Sequence, residues 1–221
     1  MRLRRFKGLV IVLVLAGLVS ATYAALTKST TLATPHDDWQ LVSPETVVDG
    51  VAYDVSGSYD TILYIEAALG EATASDGVEI SVEISYADDD WTKLTQFKGT
   101  AETPAASTLN DAAATAGDAD ITLTDATAGD FAVKMRKWFI LEGTVANSES
   151  VKTKANSTHT VTLCQDLIRS HTNGATVVDR VDEWCVRVPM AAAFVRVIVY
   201  NPDADCDAYF TSRVSKVTSL N

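Results

Sequence analysis

The sequence has few of the residues and motifs on which enzyme chemistry depends. Its 221 residues include three histidines, and His36, His159 and His171 stand outside any HExxH, HxH or Cys-His metal arrangement. It has no GxSxG nucleophile elbow and no Walker or dinucleotide glycine pattern. Carboxylates are plentiful, but nothing singles out a glycosidase pair. We therefore predict that the protein is not an enzyme, and that the histidines lie at the surface or in turns.

Cysteine is also scarce. Cys164, Cys185 and Cys206 are the three cysteines, too few for a disulfide scaffold but enough for one bridge in an oxidising location. In a simple meander, the strands that carry Cys185 and Cys206 would lie about 9 to 10 Å apart. A disulfide needs Cα atoms within about 7 Å. The candidate bridge Cys185–Cys206 therefore requires strands in facing sheets or a different strand order.

Positive charge is sparse, since 18 Lys and Arg stand against 29 Asp and Glu, for a net charge of −11. A nucleic-acid partner would need the opposite sign, so we exclude it. Binding to anionic membrane surfaces is disfavoured for the same reason. An acidic surface of this kind is typical of a soluble exported protein.

One acidic run suggests the single candidate cofactor, Ca²⁺. The alternate carboxylates of Asp203, Asp205 and Asp207 could face one way and supply the oxygen ligands that Ca²⁺ prefers. The glycine and the distal glutamate of an EF-hand are missing, however. A solvated turn is the competing interpretation, and no other cofactor is predicted.

A long apolar run occurs at the N-terminus. Residues 1–7 carry basic and no acidic side chains, and Leu9–Val19 is unbroken apolar sequence. About a dozen apolar residues suit a signal peptide better than a spanning helix of about 20. We predict a signal peptide over residues 1–24, cleaved after Ala24, so that membrane contact occurs only through the leader and the protein is secreted to the cell surface or beyond. Cleavage would leave 14 basic against 29 acidic residues, a net charge of −15.

Two other interpretations of the leader stay open. The apolar and small stretch through Ala25 is about 17 residues, the lower limit for an uncleaved anchor. Lys7-Gly8 before an apolar run resembles a type IV prepilin site, which would make this a pilin-like subunit that retains its N-terminal helix. Leu13 stands where that family usually has an acidic residue.

Two kinds of segment predict an all-β fold: segments in which apolar and polar residues alternate, and segments that are apolar on both faces. Val78–Tyr86 alternates apolar and polar residues, as in a half-buried strand, whereas Tyr59–Leu69 is apolar on both faces. With acidic and glycine turns between strands, the pattern predicts an antiparallel β-sandwich, jelly-roll or Ig-like, built from residues 39–99 and 179–221. The other predicted strands are Trp91–Phe97, Phe194–Tyr200 and Asp207–Val217.

The composition changes between these two halves. Gly99–Asp118 is rich in small and polar residues and reads as an exposed connection. Short strand candidates follow, so residues 100–178 are predicted to be a linker and an inserted small β-barrel or β-roll module. These candidates are Ile121–Leu123, Phe131–Leu141, Val151–Lys154 and His159–Cys164.

Several segments resemble β modules of phage-type virion proteins and of secreted bacterial or archaeal surface proteins. In the inserted region they are ITLTDATAGDF, VANSES, HTVTL and HTNGATV, and in the sandwich DVSGSYDTILYIEAAL and VRVIVYN. The resemblance implies a structural or surface-assembly role and carries over no catalytic residue. The leader departs from virion proteins and favours a cell-surface structure.

The segment after the predicted cleavage site has no evident place in the sandwich. Residues 25–38 are either a disordered tail or an extended arm that adds a strand to the next subunit, with Leu26, Thr30 and Leu32 as its assembly contacts. The leading hypothesis is thus a self-assembling structural subunit of a filament, tube or surface layer. The alternative is a secreted adhesin or carbohydrate-binding module, in which Trp91 or Trp138 forms a sugar platform rather than part of the core.

Overall fold

The computed structural model describes residues 28–32, 39–70, 76–87, 89–100, 106–111, 114–124, 137–142, 145–157 and 159–220. The leader, with all three interpretations of it, and the arm residue Leu26 lie outside these ranges. Among the described residues there are sixteen strands and one 3₁₀ turn, Val145–Asn147. No helix in this part of the chain is long and apolar enough to cross a membrane. The all-β, antiparallel prediction is confirmed.

Two five-stranded sheets face each other as a sandwich. The strands of sheet A are β1 (Lys28–Leu32), β2 (Gln40–Val42), β5 (Asp60–Leu69), β14 (Asp182–Val188) and β16 (Ala208–Leu220). Those of sheet B are β3 (Val47–Asp49), β4 (Tyr53–Asp54), β6 (Glu79–Ser85), β7 (Trp91–Lys98) and β15 (Phe194–Tyr200). In sheet A, the order is β1, β16, β5, β14, with β2 also paired to β16. In sheet B, the order is β3, β15, β6, β7, with β4 also paired to β15.

The sandwich core comes from the alternation predicted for its strands. Ile80, Val82 and Ile84 of β6 point inward, and so do the alternate valines of β15. They meet Leu63 and Ile65 of β5 in one cluster. Because side chains alternate across a strand, the other face of β5 is left to contact something else. That face is half-buried from Asp60 to Tyr64 and buried at Glu66 and Ala68, so the predicted cover on both sides is complete only at this end of the strand.

The third sheet has six strands: β8 (Ala106–Thr108), β9 (Asp120–Thr122), β10 (Lys137–Leu141), β11 (Glu149–Asn156), β12 (Thr160–Leu163) and β13 (Thr176–Val178). Their order in the sheet is β8, β13, β10, β11, β12, β9. A bridge between Leu109 and Leu123 joins the ends of the two edge strands, β8 and β9. The sheet therefore curves into a small barrel, here called the module, around Trp138, Ile140 and other apolar side chains.

The module packs on the second face of sheet A. Phe139 of β10 lies between Trp39 and Tyr209, with ring centroids 4.4 Å and 5.3 Å away. Ala68, on the outward face of β5, completes this contact. The chain leaves for the module after β7, past Gly99, whose carbonyl lies so close to Gly77 that a Cβ at Gly77 would collide with it. The module contacts sheet A near Ala68 and Tyr209, which pair with each other, whereas Asp60 at the other end of β5 pairs with Val217.

The predicted Cys185–Cys206 disulfide is wrong, because all three cysteines are free. Consecutive strands β14, β15 and β16 alternate between the sheets instead of forming a meander. Cys185 pairs with Tyr64, and Ala208, two residues after Cys206, pairs with Leu69. Five residues of β5 separate those positions, roughly 17 Å. Cys185 is exposed, whereas Cys206 is buried in the core.

Candidate functional site

The described part of the arm is an edge strand of its own sheet. β1 pairs antiparallel with the end of β16, from Lys28 opposite Leu220 to Leu32 opposite Ser215. The predicted arm residue Thr30 lies opposite Val217, just after a register shift. β2 pairs with the beginning of the same strand, where Gln40 lies opposite Phe210. Together β1 and β2 line one edge of β16, joined by a segment outside the described residues.

A cleft of about 220 Å³ lies where the outer face of sheet A meets the module. Glu66 of β5 is one of its two carboxylates, with a side chain that is 9% exposed. Its Oε1 lies 2.5 Å from Nζ of Lys137 on β10, and its Oε2 accepts a hydrogen bond of 2.7 Å from the Ser150 hydroxyl. Lys137 also lies 2.6 Å from the more exposed Glu183 of β14. The sandwich and the module are thus joined by this polar network as well as by the apolar contact around Phe139.

The wall of the cleft carries cationic side chains with spare hydrogen-bonding capacity. The Arg213 guanidinium lies 5.5 Å from the Tyr64 ring centroid and 3.7 Å from Glu66 Oε1. Among the described residues, the side chains of Lys152 and Gln165 make no hydrogen bond or ion pair. Four basic and two acidic side chains line the cleft, an excess of two positive charges. The cleft therefore has the opposite sign to the protein as a whole.

The second carboxylate of the cleft, Glu149, is hydrogen-bonded by residues of the module. Glu149 accepts hydrogen bonds from the backbone N–H groups of Ile168 and Arg169, at 3.1 Å and 3.0 Å. Its Oε1 also lies 2.7 Å from Nε2 of His171, whose side chain is fully buried. Nδ1 of His171 lies 3.3 Å from Glu142 Oε2. The prediction that His171 is a surface or turn residue is therefore wrong, because it is buried and forms a β-bridge with Ala114. His159 is exposed, and His36 lies outside the described residues.

Glu142 shows how this cluster favours the ionised carboxylate. Burial alone would raise its pKa. Hydrogen bonds from the hydroxyl and the backbone N–H of Thr172, at 2.5 Å and 3.0 Å, outweigh burial together with the neighbouring His171, so the pKa of Glu142 is lowered. We call Glu142, Glu149 and His171 the histidine clamp. It fastens residues 168–172 to β10 and β11 of the module.

The predicted Ca²⁺ ligands do not form a site. Oδ1 of Asp203 accepts hydrogen bonds of 2.9 Å from the backbone N–H groups of Asp205 and Cys206, and Oδ2 accepts one of 3.1 Å from Asp76. Asp203 is buried, Asp205 is exposed and Asp207 is half-buried. Within the described ranges, no three His, Cys, Asp or Glu side chains could hold a metal ion. The carboxylate of Asp203 is used to shape the turn before β16.

The tryptophans do not form an exposed platform. Trp138 is 0% exposed in the centre of the module, so its predicted role as a sugar platform is wrong. Trp91 is half-buried, with the Arg196 guanidinium 4.3 Å from its ring centroid. Trp184 stacks on Phe97 at 5.8 Å, across the two sheets. These contacts agree with the interpretation, favoured by the separation of the tryptophans in the sequence, that they belong to cores and interfaces.

Sequence reasoning missed the cleft and the histidine clamp. One signal was present, because Glu66 is the single charged residue within the apolar run from Thr61 to Leu69. A charge there must be paired when both faces of the strand are buried. Its partner Lys137 is 71 residues away, and no local pattern indicates that pairing.

No protein-family model matches the chain, and no curated protein matches it. It is similar to the crystal structure of A. japonicus CB05 at 12% identity and a TM-score of 0.31, and to wild-type fructosyltransferase from A. japonicus at 12% identity and a TM-score of 0.28. Each match covers 88% of this chain and 27% of the other. The VP2 subviral particle of infectious bursal disease virus is similar at 7% identity and a TM-score of 0.23, over 88% of this chain and 42% of that one. The chain spans between 27% and 42% of the length of these structures, and likeness at this level carries no argument about function.

Proposed function

We propose that the protein is a secreted, non-enzymatic structural subunit of an extracellular assembly, in which β1 of one copy pairs with β16 of the next. The observation that carries this proposal is the edge position of β1. It is a five-residue strand that pairs with β16 alone among the described strands. Such a strand can leave its own sheet and be replaced by the same strand of a neighbour, with identical backbone hydrogen bonds.

The edge that β1 covers gives the exchange its driving force. Without β1, residues 215–220 of β16 would present unpaired N–H and C=O groups, a template for strand addition. A second copy restores the same pairing, so exchange leaves the number of backbone hydrogen bonds along this edge unchanged. A contact that joins unlike surfaces of successive copies propagates into an open filament unless its rotation closes a ring.

Two cysteine variants test the exchange directly. Thr31 and Lys216 are Cα partners in the pairing of β1 with β16. In chains from residue 25 onward that carry Cys164→Ser and Cys185→Ser, Thr31→Cys is made in one preparation and Lys216→Cys in another. After mixing and mild oxidation, we expect a disulfide-linked dimer between the two preparations. Arg187→Cys, on the opposite edge strand β14, is the matched control and should give no linked dimer with Thr31→Cys.

The Thr31→Cys, Lys216→Cys double variant distinguishes the two states of the arm. Exchange gives a ladder of linked oligomers, whereas an arm that stays in its own sheet gives only monomers with an internal bridge. Electron microscopy should show filaments or layers that disappear when residues 25–34 are deleted. Internal bridges only, together with a monomer at high concentration, would overturn the proposal.

A further inference from the structure

We propose that the cleft between sheet A and the module binds a carboxylate-bearing sugar, such as a uronic acid residue of an extracellular polysaccharide. The two carboxylates of the cleft already have partners within the protein. Glu66 is held by Lys137 and Ser150, and Glu149 by His171 and two backbone N–H groups. Because these carboxylates are already hydrogen-bonded, they are poorly placed to bind a cation. The side chains that remain available in the cleft are hydrogen-bond donors, which would bind an anion.

The side chains that remain suit a carboxylate. The shortest distance from the Arg213 guanidinium to Glu66 is 3.7 Å, which is longer than a hydrogen bond, and the Arg213 side chain is about half exposed. Part of the guanidinium therefore faces the cleft. Arginine binds carboxylates through two parallel hydrogen bonds. Lys152 adds a second exposed cation from the opposite wall, on β11. An anion is also drawn to the cleft because it is a positive region on an acidic protein.

Size and lining favour a site for one sugar unit over a site for a peptide. The cleft volume of about 220 Å³ is below the roughly 300–1,000 Å³ of sites for drug-sized ligands. Tyr64 offers an aromatic surface with a hydroxyl at its tip, and Gln165 offers an amide. Such groups pair with the ring and hydroxyls of a sugar, while Arg213 and Lys152 select for its carboxylate. The site is separate from the β1–β16 edge, so it functions whether or not the arm exchanges.

Titration calorimetry of the chain from residue 25 onward with D-glucuronate tests this proposal. We expect binding near the millimolar range, weakened roughly 10-fold or more by Arg213→Gln or Lys152→Gln, as for a lost charge-assisted hydrogen bond. Lys154→Gln is the matched control, because Lys154 is exposed on the same strand but does not line the cleft. Glucose tests the carboxylate and acetate tests the sugar ring, and both should bind much more weakly.

Cys164 gives an independent readout, since it is exposed and lines the cleft. Glucuronate should slow its alkylation while leaving the exposed Cys185, which lies outside the cleft, unaffected. The Lys152 variant keeps the test valid if Arg213→Gln destabilises the fold. The proposal is overturned if glucuronate does not bind, if glucose binds equally well, or if acetate binds equally well and the cleft is only an anion site.

Discussion

Glu66 and Lys137 join the two parts of the protein, with Oε1 and Nζ 2.5 Å apart in a largely buried contact. Removing one partner of a buried ion pair costs about 3–5 kcal/mol, because the other charge is left uncompensated. Lys137 keeps its contact with Glu183, so we expect Glu66→Ala to lower the free energy of unfolding by about 3 kcal/mol, the lower end of this range, measured by urea denaturation.

Glu183 is the matched control for this prediction. It contacts the same Lys137 amine at 2.6 Å, but its side chain is 53% exposed. Glu183→Ala should cost less than about 1 kcal/mol, as for a solvent-exposed pair. Equal losses in the two variants would show that burial does not set the strength of this network.

Substitution of the two candidate sugar-platform tryptophans should destabilise the protein by very different amounts. Trp138→Ala empties the centre of the module, where the side chain is 0% exposed, and should cost about 3–5 kcal/mol. Trp91→Ala removes a half-buried ring and its contact with Arg196, which should cost about 1 kcal/mol. Circular dichroism during urea denaturation measures both. A small effect of Trp138→Ala would contradict its place in the core.

The histidine clamp predicts an acid-dependent contribution from Thr172. Since the folded-state pKa of Glu142 is lowered, its ionised form stabilises the fold above the ordinary glutamate pKa. This contribution is lost as the pH falls through the lowered value. Thr172→Val removes the hydroxyl that donates to Glu142. It should cost about 1 kcal/mol at neutral pH, and less as the solution becomes acidic.

Stability measured from pH 7 downward checks this direction. Thr92→Val, on an exposed position of β7, should show no such convergence with the parent protein at low pH. A gap between Thr172→Val and the parent that widens on acidification would show that Thr172 does not act through Glu142.

The corrected cysteine assignment predicts a labelling pattern. With all thiols free, a thiol reagent should modify Cys164 and Cys185 in the native protein without reduction. Cys206, at 0% exposure, should react only after unfolding. Mass spectrometry of alkylated peptides distinguishes these sites. A linked Cys185–Cys206 peptide under non-reducing conditions would contradict the strand arrangement of sheet A.

The spacing of apolar residues in the sequence determined the all-β fold and the positions of several of its strands. Apolar alternation in β6, doubly buried sequence in β5 and the FVRVIVY run of β15 each appear as strands close to the predicted bounds. This succeeds because a strand places alternate side chains on opposite faces, which is a local property of the chain. The same reasoning indicated that β5 is covered on both sides, without indicating by what.

Only the tertiary structure decided which strands are neighbours and which polar groups meet. It separated Cys185 from Cys206, buried His171 between two glutamates and turned Asp203 toward backbone N–H groups. It also paired Glu66 with Lys137 to form the cleft. These contacts join positions far apart in the chain, where spacing carries no information, because strand order and the packing of one sheet on another set the distances between side chains.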